Sequence, residues 1–417
     1  MSRSNAAAAL LFRRKGDGST LNLDFTGGSL DSRVVLTRSA NTATYINSSG
    51  YVTTAAQDVA RFDYDPTTLA AKGLLIEGQA INILLQSESL GSSPWSAQNG
   101  ATATNVSITN PANGATSTRI TTGTASNAIA QTPTYAGSSS HTLSIWVRSG
   151  TSTRLNIGIY SGAGFVTGTI SVLSGSATVT GTGLFTVTNL TSTWTRLQIV
   201  YTTLSAGALL IYPDTASPGA SLNLYAWGAQ LETGTAASSY IPTVASQVTR
   251  NPDLALMTST NFSNWFSGGT TGTFFVDWHG GVRGITSTVR SVISTDDLST
   301  KHLHLQQASA AGVLKVADFG AAHSVSTANS ITSGARTKGA FNFVGSTSTV
   351  NLCLNGSTVA TSTAIAFSVA PTWLVLGGTS TDGSTLTDLT TVLNGSIRQI
   401  KYYPTALTSA QLIAMTT

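Results

Sequence analysis

Charged residues are scarce in this chain. Asp, Glu, Lys and Arg make up 9% of its 417 residues, against about 25% in an average protein. Hydrophobic residues make up 41%, so the chain lacks the low hydrophobicity and high net charge of a disordered polyelectrolyte. The net charge of +4 comes from a shortage of acids, and only Arg13, Arg14 and Lys15 lie together. A nucleic-acid-binding protein needs a longer basic stripe, so we expect no nucleic-acid partner.

Cysteine and long apolar runs are scarce as well. Cys353 is the single cysteine, which excludes a disulfide framework within one chain. Because leucines flank it on both sides, we expect it to be a small buried side chain in a strand. Residues 6–12 are apolar but too few to span a bilayer, and the basic residues follow this run, whereas in a secretion signal they precede it. We therefore expect synthesis in a cytoplasm and no membrane insertion.

Paired carboxylates, which a glycosidase needs on both sides of the bond that it cleaves, are also few. Asp63 and Asp65 fall in a proline turn, and Asp296 and Asp297 are adjacent residues that would face opposite ways in a strand. Neither pair predicts a shared site, and the sequence has no nucleophile elbow, phosphate loop or zinc cysteine pair. We expect a protein that is not an enzyme. The chain has only three glutamates, Glu77, Glu88 and Glu232.

Strand-forming and turn-forming residues are abundant. Thr and Val favour strands, whereas Gly, Asn and Ser favour turns, so the composition predicts many short strands and an all-β fold. The stretch 224–243, LYAWGAQLETGTAASSYIPT, alternates at period 2 and then runs into small residues and Pro242. We interpret it as the last strand of one domain, covered on both faces, followed by a strap to the next domain.

The pattern along the chain predicts four segments. Hairpin-length strands follow an N-terminal arm, and longer alternating strands separated by Gly and Ser turns then indicate a β-sandwich. After Arg250 a second series of strands begins, with an Asn-Gly hairpin and a final short helix with Thr408 as its N-cap. The expected segments are an arm at 1–20, a β-rich attachment and packing region at 21–90, a jelly-roll domain at 91–247 and a second sandwich at 248–417.

Several word-like motifs resemble those of known families. The run TRSANTATYINSSGYVTTAAQDVARFDYDPTTLAAKGLLIEGQAINILLQSE and the later WGAQLETGTAASSYIPT resemble a module of tail and other virion proteins of tailed bacteriophages. Residues 91–245 resemble jelly-roll carbohydrate-binding modules in pattern. The ending NGSIRQIKYYPTALTSAQL is similar to the close of concanavalin A-like or laminin-G-like lectin sandwiches. These resemblances imply tandem β-sandwiches, a jelly roll followed by a lectin-like sandwich, with an N-terminal region that attaches to a particle.

Metal binding has two weak candidates. His302 and His304 would share one strand face, but a metal site needs further ligands at defined distances, so we interpret them as polar side chains on a solvent face. Lectin-like sandwiches often hold Ca²⁺ through loop oxygens, and the Asp-rich loops match no calcium signature. We expect no resident metal or other cofactor, and Ca²⁺ stays open.

Aromatic side chains are the candidates for sugar binding, because a sugar ring stacks its C–H face on them. Three tryptophans lie beside Ser, Asn, His or Gly near segment edges, where binding loops belong. Packing at domain seams is the alternative for them. The candidates are Trp95, Trp265 and Trp278, together with the adjacent His279. Four tryptophans within alternating apolar strands are expected in the core: Trp146, Trp194, Trp227 and Trp373.

The resemblances imply a structural virion protein of a tailed phage, in a tail fibre, a spike or an exposed decoration. Its expected partners are other virion proteins and host-surface polysaccharide, with location on the virion. A homo-oligomer is expected, a trimer if the protein forms a fibre or spike, since weak sites gain strength through multivalency. Two alternatives stay open, a purely structural protein without a ligand and a depolymerase of capsule polysaccharide.

Overall fold

The structure is a computed structural model. It is nearly all β, as the composition predicts. It describes residues 17–39, 43–122, 129–134, 139–152, 154–160, 165–171, 177–180, 183–189, 194–202, 207–213, 222–266, 270–280, 289–296, 303–308, 313–318, 324–332, 334–365 and 371–417. The basic triplet of the expected arm, His302 and Asp297 lie outside these residues.

The first part of the chain forms seven short strands. Leu21 and Leu23 alternate with exposed residues and are buried, as period-2 patterning predicts. The strands are β1 (Leu21–Asp24), β2 (Val35–Thr37), β3 (Ala43–Ile46), β4 (Val52–Ala55), β5 (Phe62–Tyr64), β6 (Ala71–Ile76) and β7 (Ala80–Asn82).

The middle of the chain forms an antiparallel sandwich, here called the inserted sandwich. Its two sheets have the strand orders β16-β17-β12-β19-β10-β9 and β15-β14-β13-β18-β11-β8, and one apolar core includes residues from both sheets, such as Val147 and Ile211. Its strands are β8 (Ser96–Ala97), β9 (Thr102–Val106), β10 (Ser117–Thr121), β11 (Ile129–Gln131), β12 (Ser140–Ser149), β13 (Arg154–Tyr160), β14 (Phe165–Ser171), β15 (Ala177–Thr180), β16 (Gly183–Asn189), β17 (Thr195–Thr202), β18 (Leu209–Pro213) and β19 (Asn223–Thr233).

The last part of the chain supplies most of a second sandwich. Its strands are β20 (Val248–Arg250), β21 (Leu254–Thr258), β22 (Thr271–His279), β23 (Arg290–Asp296), β24 (Leu303–Gln307), β25 (Val313–Asp318), β26 (Ser324–Ser330), β27 (Arg336–Val344), β28 (Thr349–Leu354), β29 (Ala360–Ser362), β30 (Trp373–Leu376) and β31 (Gly395–Tyr403). The helices are α1 (Ser259–Ser263), a 3₁₀ turn (Gly345–Thr347) and α2 (Ser409–Thr416).

The second sandwich is split by the first. One sheet has the order β29-β28-β27-β22-β31-β6-β5, with β1 also on β31, and the other has the order β2-β21-β30-β23-β24-β25-β26. Leu21 lies opposite Tyr402, and Val35 lies opposite Leu256. We call this unit the split sandwich, because strands from both ends of the chain share its core.

The strand pairing shows one connection that the sequence did not predict. Region 21–90 was predicted as a β-rich attachment and packing region, and its strands β1, β2, β5 and β6 complete the two sheets of the split sandwich. The reason is physical: alternation specifies which face of a strand is buried, but it does not specify which distant strand will pair with it.

Other local predictions are confirmed. Strand β19 is buried on both faces along most of its length, and Tyr240 and Ile241 of the strap are buried. Thr408 caps α2 in a reciprocal capping box with Gln411. A positive-φ Asn-Gly pair joins β28 to β29. Cys353 and the four expected core tryptophans are also buried.

Candidate functional site

The three tryptophans expected to bind sugar are buried. Trp95, Trp265 and Trp278 are 5%, 3% and 0% exposed. Trp95 donates its indole N–H to the Leu85 carbonyl at 2.9 Å, and Trp265 packs edge-on against Tyr402. The prediction is wrong for these rings, because no face of any of them is open to a ligand. They lie near segment edges along the chain, yet other segments cover them.

Of the four candidates, His279 lines a cavity in the part of the chain that the structure describes. It is half-buried at the end of β22, with its Nδ1 3.4 Å from the Gly334 carbonyl oxygen. The cavity has a volume of about 260 Å³ and lies between the two sandwiches. We call it the interdomain cleft. Six polar side chains that line it are Asp63, Lys72, Arg196, Gln198, His279 and Ser396.

Three parts of the chain build the interdomain cleft. The β3–β4 hairpin and β5 form one wall, the outer face of β12 and β17 with the strap 237–240 forms another, and the ends of β22 and β31 close it. The cleft therefore exists only when the inserted and split sandwiches are held together.

A buried charge network holds the region behind the cleft. Arg61 donates to Glu77 at 2.7 Å and to Asp253 at 2.5 Å. Arg38 pairs with the other oxygen of Asp253 at 2.9 Å, and Arg250 also pairs with Glu77. All three arginines are fully buried. We call these five residues the buried charge network.

Glu77 stays ionised within the network. Burial alone would raise the pKa of Glu77, but Arg250 and Arg61, with hydrogen bonds from Ser239, outweigh burial and hold this pKa well below its usual range. The Ser239 N–H donates to Oε1 at 2.8 Å, and its hydroxyl donates to Oε2 at 2.6 Å. Because Ser239 belongs to the strap, the network joins the first strands, the strap and the restart of the chain.

The strap is fixed on the inserted sandwich as well. The Glu232 carboxylate accepts from Gln230 at 2.7 Å and from the Ser238 N–H at 2.8 Å. Tyr240 packs edge-on against Trp146, with ring centroids 5.3 Å apart. On the side of the cleft, the Arg196 guanidinium lies 4.4 Å from the centroid of the Trp146 ring, a cation–π contact that fixes the position of the cation.

Asp63 and Lys72 form the loosest ion pair in the described residues, at 3.8 Å, with side chains 15% and 28% exposed. Burial raises the pKa of Asp63, against the opposing effects of Lys72 and of the Ile46 N–H. That N–H donates to Oδ1 at 2.9 Å. Oδ2 and the ammonium group are thus available to a polar ligand in the cleft.

In the sequence, Asp63 stands out only as half of a possible glycosidase pair, and neither Lys72 nor Arg196 stands out at all. The structure separates the former pair, since Asp65 accepts from the backbone N–H groups of Thr67 and Thr68 in its turn. No local signal in the sequence identifies Lys72 and Arg196, because their proximity to Asp63 arises from contacts between distant segments.

The structure also bears on the expectations about metal binding and membrane insertion. His304 is buried, 3.0 Å from Gln306, so its predicted place on a solvent face is wrong. Within the described residues, no three His, Cys, Asp or Glu side chains are grouped to hold a metal ion. No helix among them has the length and hydropathy to cross a membrane.

Comparison with known proteins gives structural likeness only. No family model matches the chain, and no curated protein matches its sequence. One similar structure is the CBM40 module of a Ruminococcus gnavus sialidase bound to α2,3-sialyllactose, at 19% identity and a TM-score of 0.30, covering 35% of this chain and 82% of that one.

Two other similar structures are a carbohydrate-binding module and a laminin fragment. The CBM22-1 xylan-binding domain of Paenibacillus barcinonensis Xyn10C has 16% identity and a TM-score of 0.26, covering 39% of this chain and 99% of that one. Mouse laminin α1 domains LG4–5 have 8% identity and a TM-score of 0.25, covering 68% and 89%. At these scores no residue or ligand is carried over to this chain.

Proposed function

We propose that this chain is a non-enzymatic glycan-binding protein and that the interdomain cleft is its sugar site. The observation that carries the proposal is the loose Asp63–Lys72 pair in a cleft whose walls are fixed by buried ion pairs. A carboxylate and an ammonium group held near each other can accept from and donate to the hydroxyls of a sugar, and charge-assisted hydrogen bonds are the strong ones.

The size of the cleft is consistent with a small glycan segment. Its volume of about 260 Å³ is just below the range of about 300–1,000 Å³ of small-molecule sites. Gln198 and Ser396 add polar groups on two further walls, and the Arg196 cation is pre-positioned on Trp146. Such a site takes one or two sugar rings and leaves the rest of a polysaccharide outside.

The same geometry argues against the depolymerase alternative. Asp63 and Glu77 line one cleft, and their environments push their pKa values apart, which is how an acid and a base are arranged in many glycosidases. However, Glu77 accepts hydrogen bonds from Arg61, Arg250 and Ser239. A carboxylate held in this way is a poor base and a poor nucleophile.

The experiment compares Asp63→Asn and Lys72→Gln with the wild type on an array of bacterial surface glycans. Loss of one charged hydrogen bond, about 1.5–3 kcal/mol, should weaken binding about tenfold or more. Asp31→Asn is the matched control, because it neutralises an acid in a surface pair with Arg33. If both cleft variants bound glycan as tightly as the wild type does, the cleft would not be the sugar site. Release of new reducing ends from a bound polysaccharide would instead support the depolymerase alternative.

We further propose that the protein is a virion component of a tailed phage, where it serves host attachment as a homo-oligomer, a trimer in a fibre or spike. The sequence motifs of the strap and of the first strands support this, and multivalency would strengthen weak sugar sites. Antibodies against the folded chain should label purified particles, and light scattering should give a mass of three chains. Unlabelled particles would exclude the virion role, whereas labelled particles without glycan binding would favour a purely structural protein.

A further inference from the structure

In the inserted sandwich, the outer face of the sheet that contains β12, β19 and β10 has two unlike halves. In the covered half, Trp146 and Trp227 are buried beneath the strap and the β3–β4 hairpin. In the open half, two residues away along β12 and β19, Arg148 and Tyr225 are half-buried, and Arg119 of the next strand, β10, is exposed. Residues i and i+2 of a strand share one face, so both halves belong to the same surface.

The open half presents one tyrosine between two arginines. Tyr225 of β19 lies directly opposite Arg119 of β10 and directly opposite Arg148 of β12. Residues opposite each other in an antiparallel pair have Cβ atoms about 4.5–5.5 Å apart. The Arg148 Cζ lies 6.0 Å from the centroid of the Tyr225 ring. We call these three residues the Arg–Tyr–Arg row.

The row lacks the acidic partners that other arginines of the chain have. Within the described residues, neither Arg119 nor Arg148 has an ion pair or a side-chain hydrogen bond, and the Tyr225 hydroxyl has no hydrogen-bond partner. By contrast, Arg33 pairs with Asp31 and Arg336 pairs with Asp277. Arg119 and Arg148 lie on the two strands that flank β19, so both guanidinium groups are placed beside the same tyrosine.

We propose that the Arg–Tyr–Arg row is a second binding site, which takes an acidic sugar residue of a glycan. The C–H face of the sugar ring packs on Tyr225. Its carboxylate, sulfate or phosphate group receives paired N–H hydrogen bonds from Arg119 or Arg148, a geometry that suits a guanidinium better than an ammonium group. The exposed hydroxyl side chain of Thr104, opposite Arg119, extends the row for sugar hydroxyls.

The row is too short for the competing partner of the same chemistry. Single-stranded nucleic acid is bound by grooves that follow several phosphates and stack successive bases. Here one ring and two cations stand on an otherwise uncharged part of the sheet. A single acidic sugar residue matches this footprint.

The test is titration calorimetry of the full chain with three probes: a glucuronate-containing disaccharide, the corresponding sulfated disaccharide, and the neutral disaccharide. We expect both acidic disaccharides to bind at least tenfold more tightly than the neutral one, with an advantage that shrinks as salt is added. The order of the two acidic probes identifies the acidic group. Equal binding of all three would contradict the proposal.

Variants locate the site. Arg148→Gln and Arg119→Gln should each weaken acidic-sugar binding about tenfold, Arg148→Lys should restore only part of the loss, and Tyr225→Ala should weaken binding without removing the preference for acid. Lys315→Gln is the matched control, since it removes one positive charge from β25 of the split sandwich. A loss as large in Lys315→Gln, or none in the arginine variants, overturns the proposal. So does equally tight binding of inorganic sulfate or of an oligonucleotide.

Failure here is distinguishable from failure at the cleft. Asp63→Asn should weaken the glycan binding assigned to the cleft, whereas Arg119→Gln and Arg148→Gln should weaken the preference for acidic sugars, because Asp63 lies on the cleft wall and not on the open half. Loss of acidic-sugar binding in Asp63→Asn would place that ligand in the cleft instead of on the row.

Discussion

Two sets of charges in this protein differ in how they are compensated. In the buried charge network every guanidinium group meets a carboxylate, and the set is closed off from solvent. In the Arg–Tyr–Arg row the guanidinium groups have no carboxylate partner among the residues that the structure describes, and Arg119 is exposed while Arg148 is half-buried. The cleft pair of Asp63 and Lys72 lies between these extremes, at 3.8 Å. The charges of the buried network therefore stabilise the fold, whereas those of the row and of the cleft pair are accessible to a ligand.

The physical difference lies in the cost of desolvation. A buried ion requires full compensation, since a buried charge without a partner is strongly destabilising. An exposed ion requires none and stabilises little when it is paired. Removing one charge should therefore have different consequences in the two sets. In the buried charge network it should cause a large loss of stability, and in the Arg–Tyr–Arg row it should cause a loss of binding alone.

The largest expected effect is on the buried charge network. Asp253→Asn leaves Arg38 and Arg61 without their shared carboxylate, which should reduce the free energy of unfolding by about 3–5 kcal/mol. Urea denaturation measures this. Asp31→Asn on the surface should cost no more than about 1 kcal/mol. If the two variants were equally stable, the network would not be what holds the two sandwiches together.

The second effect concerns the close packing of the covered half. Gly228 has a φ of +66°, and a Cβ there would lie 2.6 Å from Trp146 Cε3. Gly228→Ala should cost about 2–4 kcal/mol, from backbone strain together with overpacking. Gly100→Ala is the control, because its φ of +83° is close to that of Gly228 and no atom lies within 4 Å of the added Cβ. This variant measures the backbone strain alone, about 1 kcal/mol, and equal losses of stability in the two variants would mean that Trp146 can move aside.

Local structure was predictable from the sequence, and its long-range consequences were not. The Thr408 cap, the double burial of β19 and the core tryptophans follow from periodicity and turn chemistry within a few residues. The pairing of β1 with β31 does not, because many alternating strands could have taken that place. Trp278 shows the same limit: a tryptophan beside His and Gly looks like a binding ring until the covering segments are known.

The candidate site depends wholly on such long-range contacts. Asp63, Arg196 and His279 come from three distant parts of the chain and meet in one cleft. Only His279 was predicted as a candidate, and that followed from its position beside Trp278. Cross-strand neighbours such as Arg119 and Arg148 are likewise defined by register, which a single sequence specifies only through its burial pattern.

The third effect concerns how the folding stability contributed by Asp63, in the cleft, depends on pH. Burial raises the pKa of Asp63 above its usual 3.8, so the folded state holds this proton more tightly than the unfolded state does. The contribution of Asp63 to the free energy of unfolding is then present at low pH, and it is lost as the pH rises through the pKa of Asp63 in the folded state. Asp63→Asn removes that loss and should raise stability at neutral pH by less than about 1 kcal/mol. A clear destabilisation would instead make Asp63 part of the structural set.

The smallest effect concerns His279. Burial lowers its pKa below the usual 6.5, against weaker support from the Gly334 carbonyl. The unfolded state then binds more protons than the folded state, so stability is complete above about pH 6.5 and falls as pH decreases toward the folded pKa. Thermal unfolding of the wild type between pH 7 and 5 should show this slope, and His279→Asn should reduce it. Glu77 contributes no slope in this window, because its folded pKa is depressed and its stability is lost only below the usual 4.5. An unchanged slope in His279→Asn would mean that another group in the chain titrates there, and His279 would then contribute shape to the cleft without making it sensitive to pH.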